Sequence, residues 1–311
     1  MSTQPGKVLR IATRGSALAL WQAEHVRARL QALEPGLSVE LVVLKTRGDK
    51  IVDRPLSEVG GKGLFVKEIE EALLDGRAEI AVHSLKDLTA GIPAELWLGA
   101  FPEREDPRDA LLLAPSLRSR QPAVDSIRTL PQHARVGTSS LRRVCQLKAA
   151  RPDLSIFALR GNVDTRLGKV DAAEFDAIVL ACAGLRRLGY GARIDVSLSV
   201  EESLPAVGQG ALALECRADD AHARSLLLGL DHRPTRLCIE AERGFLAELD
   251  GDCKTPLGAY ATLDGDTLHI EGLLGEPDGS RVIRQALAGP ASDGPTLGRK
   301  LAAQLLRAFH A

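Results

Sequence analysis

The sequence lacks the long hydrophobic runs and the cysteine patterns that would place it among membrane or disulfide-rich proteins. Its longest apolar runs, such as residues 177–183, are far shorter than the roughly 20 residues that cross a bilayer. The N-terminal stretch MSTQPGKVLRIATRG has no apolar core typical of a secretory signal. The five cysteines form no C-x-x-C pair, which argues against a disulfide framework or a zinc site. We therefore predict a cytoplasmic protein that uses no metal and no membrane.

An excess of charge of one sign is also missing. Lys and Arg number 40 and Asp and Glu 41, so the formal net charge is −1, and nucleic-acid binding is not expected. The segment GGKG at residues 60–63 is not a P-loop, because Leu56 and Gly63 stand where a glycine and a Ser or Thr are required. We interpret it as a flexible loop or lid. No dinucleotide, zinc-protease or nucleophile-elbow motif occurs.

Short apolar runs alternate with helical patterns over the first two thirds of the 311 residues, which predicts α/β domains with parallel strands. Strands are expected at residues 8–12, 39–45, 80–83, 135–137, 155–159 and 177–181. Buried helical faces are expected at Ala19, Ala23, Val26 and Leu30, and at Ile69, Ala72 and Leu73. Residues 114–136 are interpreted as a surface loop. A helix at 235–249, an antiparallel meander and a helix at 296–309 predict a small α+β unit.

Arginines and hydroxyl residues stand at three junctions between a predicted strand and a helix. The segments are RIATRGSALALWQ with Arg14 and Ser16, RVGTSSLRRVCQL with Thr138, Ser139, Ser140, Arg142 and Arg143, and FALRGNVDTRLGKV with Arg160, Asn162 and Arg166. Hydroxyls are ordinary N-caps, but a cation there opposes the helix dipole by about 0.3–1 kcal/mol unless an anion is near. On one sheet the junctions would converge at the strand ends and bind a polyanion. The alternative for any single junction is a solvated arginine paired with a surface acid.

A second unusual stretch, EIAVHSLKDLTAG, places Ser84, Lys86 and Asp87 at the end of a predicted strand. Asp87 could simply cap a turn. Among cations it would stay ionised, and it would then suit the stabilisation of a cationic intermediate.

These segments together closely resemble the porphobilinogen deaminase family, also called hydroxymethylbilane synthases. The resemblance covers roughly residues 8–260 and also includes KTRGDK, GGKGLFVKEIEEALL, PEREDPRDAL, ACAGLRRLG, LPAVGQGALALECR and GDCKTPLGA. It implies three domains: residues 1–103 with 203–229, residues 107–200, and residues 232–311. The first two would be α/β domains similar to type II periplasmic binding proteins, and the third a small α+β domain. Hinges are expected near residues 103–106 and 200–204.

The resemblance also implies the chemistry. Four porphobilinogen molecules would be joined head to tail, with loss of ammonia, into linear hydroxymethylbilane for tetrapyrrole biosynthesis. The loop cysteine, Cys253, would hold a dipyrromethane cofactor through a thioether, while Cys182 and Cys216 in strands, and Cys145 and Cys238 on helices, would be small buried hydrophobes. Asp87 would be catalytic, and the family is commonly monomeric. Acetate and propionate groups of the pyrroles would bind Arg14, Ser16, Ser84, Lys86, Thr138, Ser139, Ser140, Arg142, Arg143, Arg160, Arg166, Arg187 and Gln209.

Two other classes of function compete with this interpretation. A non-catalytic two-lobed module that binds small anions would need the arginines but neither Asp87 nor Cys253. A cysteine hydrolase would need a histidine near the thiol, and the candidates His232 and His269 lack a supporting signature.

Overall fold

The computed structural model describes residues 8–50, 63–120, 124–249 and 255–311. Within these ranges the strands form three sheets. The chain divides into two compact units, Met1–Arg104 with Ala211–Arg236, and Glu105–Gly210 with Leu237–Ala311. The three-domain boundaries given above stay a prediction.

The first unit contains a five-stranded mixed sheet. Its strands are β1 (Leu9–Arg14), β2 (Val39–Leu44), β3 (Ile80–Ser84), β4 (Leu96–Ala100) and β10 (Leu212–Arg217), in the order β2-β1-β3-β10-β4. Strand β1 runs parallel to β2 and β3, whereas β10 is antiparallel to β3 and β4. The helices of this unit include α1 (Ala17–Leu33), α2 (Arg47–Lys50), α3 (Lys67–Leu74) and α8 (Ala221–Leu228).

The helical faces of this unit follow from the spacing of their apolar residues. Helix α1 begins after Ser16, whose Oγ accepts a hydrogen bond from the Ala19 N–H at 3.3 Å, as an N-cap does. It buries Ala23, Val26 and Leu30 in the core of the unit, whereas Ala19, which was also expected on the buried face, is only partly buried. Helix α3 buries Ile69, Ala72 and Leu73, as predicted.

The second unit contains the other two sheets. Their strands are β5 (Asp109–Leu113), β6 (Arg135–Gly137), β7 (Ser155–Phe157), β8 (Ala177–Ala181), β9 (Val196–Ser197), β11 (Leu257–Asp264), β12 (Thr267–Gly275) and β13 (Val282–Pro290). The first five form a sheet in the order β7-β6-β8-β5-β9, and the last three form an antiparallel meander, as predicted. The helices are α4 (Pro115–Arg120), α5 (Leu141–Ala150), α6 (Val163–Asp171), α7 (Cys182–Arg187), α9 (Arg233–Glu248), which starts in the first unit, and α10 (Gly294–His310).

Three expectations about local structure were wrong. Residues 114–136 are not only a surface loop, since they contain α4 and a 3-10 turn, and Val124, Ile127 and Leu130 are buried in the core. Cys182 begins helix α7 instead of lying in a strand. The three arginine junctions do not share one sheet, because the first follows β1 and the other two follow β6 and β7.

No helix within the described ranges is both long and apolar enough to cross a membrane.

Candidate active site

The first sheet gathers polar residues at one edge. Strands β2, β1 and β3 are parallel neighbours, so their carboxyl ends meet at the same edge, where ligands of open α/β sheets bind. The residues that follow these strands are Arg14 and Ser16 after β1, Thr46 and Asp49 after β2, and Ser84, Lys86 and Asp87 at the end of β3.

Arg14 is held in place by an acid and an aromatic ring. Its Nη2 forms an ion pair with Asp49 Oδ1, and its guanidinium carbon lies 4.0 Å from the centre of the Phe65 ring, a cation–π distance. Burial would raise the pKa of Asp49, but hydrogen bonds from Arg14 and Thr46 outweigh it and hold the pKa below its ordinary value. Asp49 stands in the KTRGDK motif, yet it was not among the predicted site residues.

Asp87 lies on a short 3-10 turn, Leu85–Asp87, that continues directly from β3. Leu85 and Leu88 are buried and anchor the turn, while Lys86 and Asp87 are exposed. Ser84 Oγ accepts a hydrogen bond at 2.9 Å from the buried Gln22 side chain, which fixes the end of β3. The carboxylate of Asp87 is therefore presented to solvent from a rigid base.

A second polar edge belongs to the five-stranded sheet of the other unit. Strands β7, β6 and β8 are adjacent and parallel, so the residues after each of them lie at one edge. These residues are Thr138, Ser139 and Ser140 after β6, Arg160, Asn162 and Arg166 after β7, and Arg187 on α7 after β8. Several are tied to the backbone: Ser139 Oγ donates to the Leu159 carbonyl at 2.9 Å, and Asn162 caps α6 by accepting from the Thr165 N–H at 2.9 Å.

Two further arginines after β6 are buried and form ion pairs with a single acid, Asp109. Arg142 donates to Asp109 at 2.8 and 3.1 Å, and Arg143 donates to it at 3.0 and 2.7 Å. Gln209 Nε2 also donates to Asp109, at 2.9 Å, and all four side chains are buried. Burial would raise the pKa of Asp109, but the two guanidinium groups outweigh it and keep the carboxyl ionised. Direct contact of Arg142, Arg143 and Gln209 with a ligand stays a prediction.

Arg187 is a further partly buried cation at this edge. Its Nη2 donates to the Gly210 carbonyl at 2.7 Å. Burial lowers its pKa to about 10, although the charge of Glu105 opposes the shift. The side chain therefore remains positively charged at neutral pH.

The four cysteines that were expected to be buried are buried, although Cys182 lies at the start of a helix instead of in a strand. Cys145, Cys182, Cys216 and Cys238 are buried and form no disulfide among the described residues, and burial raises the pKa of the first three to about 11. Cys253 and residues 60–62 of the expected lid lie outside the described residues. The chain after Cys253 is anchored, since the Pro256 carbonyl accepts a hydrogen bond from the Gly275 N–H at 3.0 Å.

Two family models match this chain. The model described as the porphobilinogen deaminase dipyromethane cofactor binding domain matches residues 9–225, and that of the porphobilinogen deaminase C-terminal domain matches residues 236–307. The two matches and the three sheets together define a transferase of the predicted α/β class, built from two five-stranded α/β sheets and a small α+β part. The chain belongs to the porphobilinogen deaminase family. It polymerises four porphobilinogens into hydroxymethylbilane with a dipyrromethane cofactor, as expected.

Solved structures with low sequence identity are also similar. The VFT2 domain of BvgS from Bordetella pertussis is 17% identical over 72% of this chain and 86% of that chain, with a TM-score of 0.42. The OxyR2 regulatory domain from Vibrio vulnificus is 11% identical over 72% of this chain and 96% of that chain, also with a TM-score of 0.42. The family assignment rests on the two family models alone.

The residues present fit a dipyrromethane, whose pyrroles carry acetate and propionate groups. Arg142 Nε is buried and has no hydrogen-bond partner among the described residues, and Asp109 supplies one negative charge for two guanidinium groups. A carboxylate would satisfy the unpaired N–H and balance the remaining charge.

Proposed function

We propose that Cys253 is the attachment point of the dipyrromethane, that Asp87 is the catalytic residue, and that the polar residues at the two sheet edges bind the carboxylates of the substrate and growing chain. The observation that supports this most is the clustering of arginines and hydroxyls after parallel, adjacent strands. The binding residues would be Arg14, Ser16, Ser84, Lys86, Thr138, Ser139, Ser140, Arg142, Arg143, Arg160, Arg166, Arg187 and Gln209.

The chemistry of the substrate accounts for the number of cations. Each porphobilinogen brings two carboxylates, and a hydrogen bond to a charged group contributes about 1.5–3 kcal/mol. Arginine suits this task because its planar fork binds a carboxylate with two parallel bonds. When bound, the dipyrromethane supplies the pyrrole carbon to which the first substrate is joined.

Asp87 would act on the positive charge that develops when ammonia leaves the substrate. Its carboxylate can accept hydrogen bonds from pyrrole N–H groups, and a carboxylate held in position offsets that charge. The exposure of Asp87 and its rigid turn support this role. The neighbouring Lys86 would bind a substrate carboxylate.

We also propose that the protein acts in the cytoplasm as a monomer, with porphobilinogen as its partner and without nucleic acid or membrane. The nearly balanced charge supports the absence of a nucleic-acid partner.

The attachment point is tested by intact mass. The purified protein is compared with Cys253→Ser, each before and after incubation with porphobilinogen. An added mass of two linked pyrrole units, absent from the variant, is the expected result. The bare polypeptide mass in both proteins after incubation would contradict the assignment.

The role of Asp87 is tested with Asp87→Asn, which keeps the shape and removes the charge. We expect porphobilinogen consumption by the cofactor-loaded protein to fall about 10²–10⁴-fold, the usual contribution of a positioned acid or base. Asp75→Asn is the matched control, because Asp75 is an exposed acid that pairs with Arg77 before β3 begins. Equal rates for the two variants would remove Asp87 from the catalytic step.

A further inference from the structure

Asp109 lies at the second sheet edge and is surrounded by hydrogen-bond donors. Asp109 is completely buried and accepts hydrogen bonds from four side chains, those of Arg142, Arg143, Ser203 and Gln209. A carboxylate has about four lone-pair positions, so Asp109 has no capacity left for a ligand. It can affect a ligand only through the groups that it holds.

The positive and negative charges of Asp109, Arg142 and Arg143, called here the Asp109 cluster, do not balance. Asp109 is the one carboxylate among the described residues that either guanidinium contacts, which leaves one buried positive charge in excess. An uncompensated buried charge is unfavourable until an anion arrives. The buried Nε of Arg142 has no hydrogen-bond partner among the described residues, which leaves one donor of this side chain unsatisfied.

The Asp109 cluster also lies next to β11, the strand that follows Cys253 in the chain. A Cβ placed on Gly258, near the start of β11, would lie 3.2 Å from Arg142 Cδ and 2.8 Å from the Pro205 carbonyl oxygen. The backbone of β11 therefore passes directly beside the Arg142 side chain. Arg142 itself donates to the Leu204 carbonyl at 2.6 Å, so the same side chain links Asp109, the segment at residues 204–205 and β11.

We propose that Asp109 is a positioning residue for cofactor loading: it orients Arg142 and Arg143 beside β11 and leaves one positive charge for a carboxylate of the dipyrromethane. This inference rests on the proposed attachment at Cys253. A neutral residue at position 109 would release both guanidinium groups, whereas a second acid would cancel the charge that the cofactor needs.

The test measures loading separately from turnover. Cofactor-free protein, produced in cells that make no porphobilinogen, is incubated with porphobilinogen, and the gain of two pyrrole units is followed by intact mass. The variant is Asp109→Asn. Its control is Asp195→Asn, since Asp195 binds Arg118 at 2.6 and 2.8 Å and the Leu113 N–H at 2.8 Å at the opposite end of β5.

We expect the control to load at the wild-type rate and Asp109→Asn to load at least ten-fold more slowly, with a native circular dichroism spectrum. The rise in melting temperature on loading should also be smaller in Asp109→Asn. A residue that only stabilises the fold would lower the melting temperatures of the free and loaded forms equally, and that result, or loading at the wild-type rate, would overturn the proposal.

If Asp109→Asn does not fold, Asp109→Glu tests the positioning role of Asp109 instead. It keeps the charge and displaces it by one methylene, so the folded protein should load at least ten-fold more slowly. Wild-type loading by Asp109→Glu would refute the positioning role. If the wild-type protein itself gains no mass, the attachment at Cys253 has failed, which is a different outcome from equal loading of variant and wild type.

Discussion

The imidazole Nε2 of His83 lies 3.0 Å from Oε2 of Glu215, and the pair joins the antiparallel strands β3 and β10 inside the first unit. Both side chains are buried. Glu215 Oε1 has no hydrogen-bond partner among the described residues, so His83 provides the bond on which this carboxylate depends. Burial and the charge of Glu215 together raise the pKa of nearby Glu70. An unpaired negative charge is therefore unfavourable in this region.

Replacing His83 should therefore destabilise the protein strongly. His83→Ala leaves Glu215 buried and unpaired, and breaking a buried pair in this way costs about 3–5 kcal/mol. Urea unfolding measures the change. His222→Ala, an exposed histidine of α8 in the same unit, should stay within about 0.5 kcal/mol of wild type. A loss below about 1 kcal/mol for His83→Ala would mean that the pair contributes little.

Two helical glycines should respond to alanine in opposite directions. A Cβ on Gly298 of α10 would overlap the Ala241 carbonyl oxygen and lie 2.8 Å from the Phe245 nitrogen of α9. Gly298→Ala must push these helices apart, at a cost of about 1–3 kcal/mol. Gly168 of α6 has no neighbour within 4 Å of the same position, so Gly168→Ala should stabilise the protein by about 0.5–1 kcal/mol. Thermal unfolding that gave both variants the same sign would contradict the close approach.

The elements that could be predicted are those whose signal is local. Strands β6 and β8 were predicted at their observed bounds, because β8 is a short apolar run and both strands lead into a helix start that contains hydroxyl residues or glycine. Strand β5 was missed, since Asp109 introduces a continuous apolar run, DALLL, behind a charged segment. The run is buried throughout, and periodicity alone does not distinguish such a short apolar run from a buried helix segment.

The candidate site was predictable only in part, because several of its contacts join residues that are far apart in the chain. The positions of Arg14 and Asp87 at strand ends follow from the strand pattern alone. The burial of Arg142 does not, because its partner Asp109 is 33 residues away in the chain. The pairing of Arg14 with Asp49 likewise depends on two parallel strands being neighbours. Contacts between distant segments therefore decide which arginines pair with an acid.

Acid should weaken the fold through Glu79. This buried carboxylate accepts from the Arg10 backbone N–H at 2.7 Å and from Arg10 Nε at 3.2 Å. Burial would raise the pKa of Glu79, but the bonds from Arg10 outweigh it and lower the pKa. A lowered pKa in the folded state gives stability that is complete above the unfolded value of about 4.3 and is lost as the pH falls through the folded value.

Glu79→Gln should consequently lose about 1–3 kcal/mol at pH 7, and its difference from wild type should shrink as the pH falls below about 4. Urea unfolding between pH 7 and pH 3 measures both. Glu71→Gln is the control, since Glu71 is exposed and lies 3.9 Å from Lys67, so little change is expected at any pH. A constant difference between Glu79→Gln and wild type across this range would show that Arg10 does not lower the pKa.

Thiol alkylation should single out Cys253 in the cofactor-free protein. Burial raises the pKa of Cys145, Cys182 and Cys216 to about 11, so only about one in a thousand of these groups is a reactive thiolate at pH 8; Cys238 is buried as well. Iodoacetamide at pH 8 should therefore add one group to the native cofactor-free protein and none to Cys253→Ser or to the loaded protein, as read by intact mass. In denaturant all free thiols should react, which serves as the control. Rapid alkylation of native Cys253→Ser would mean that a buried cysteine is accessible.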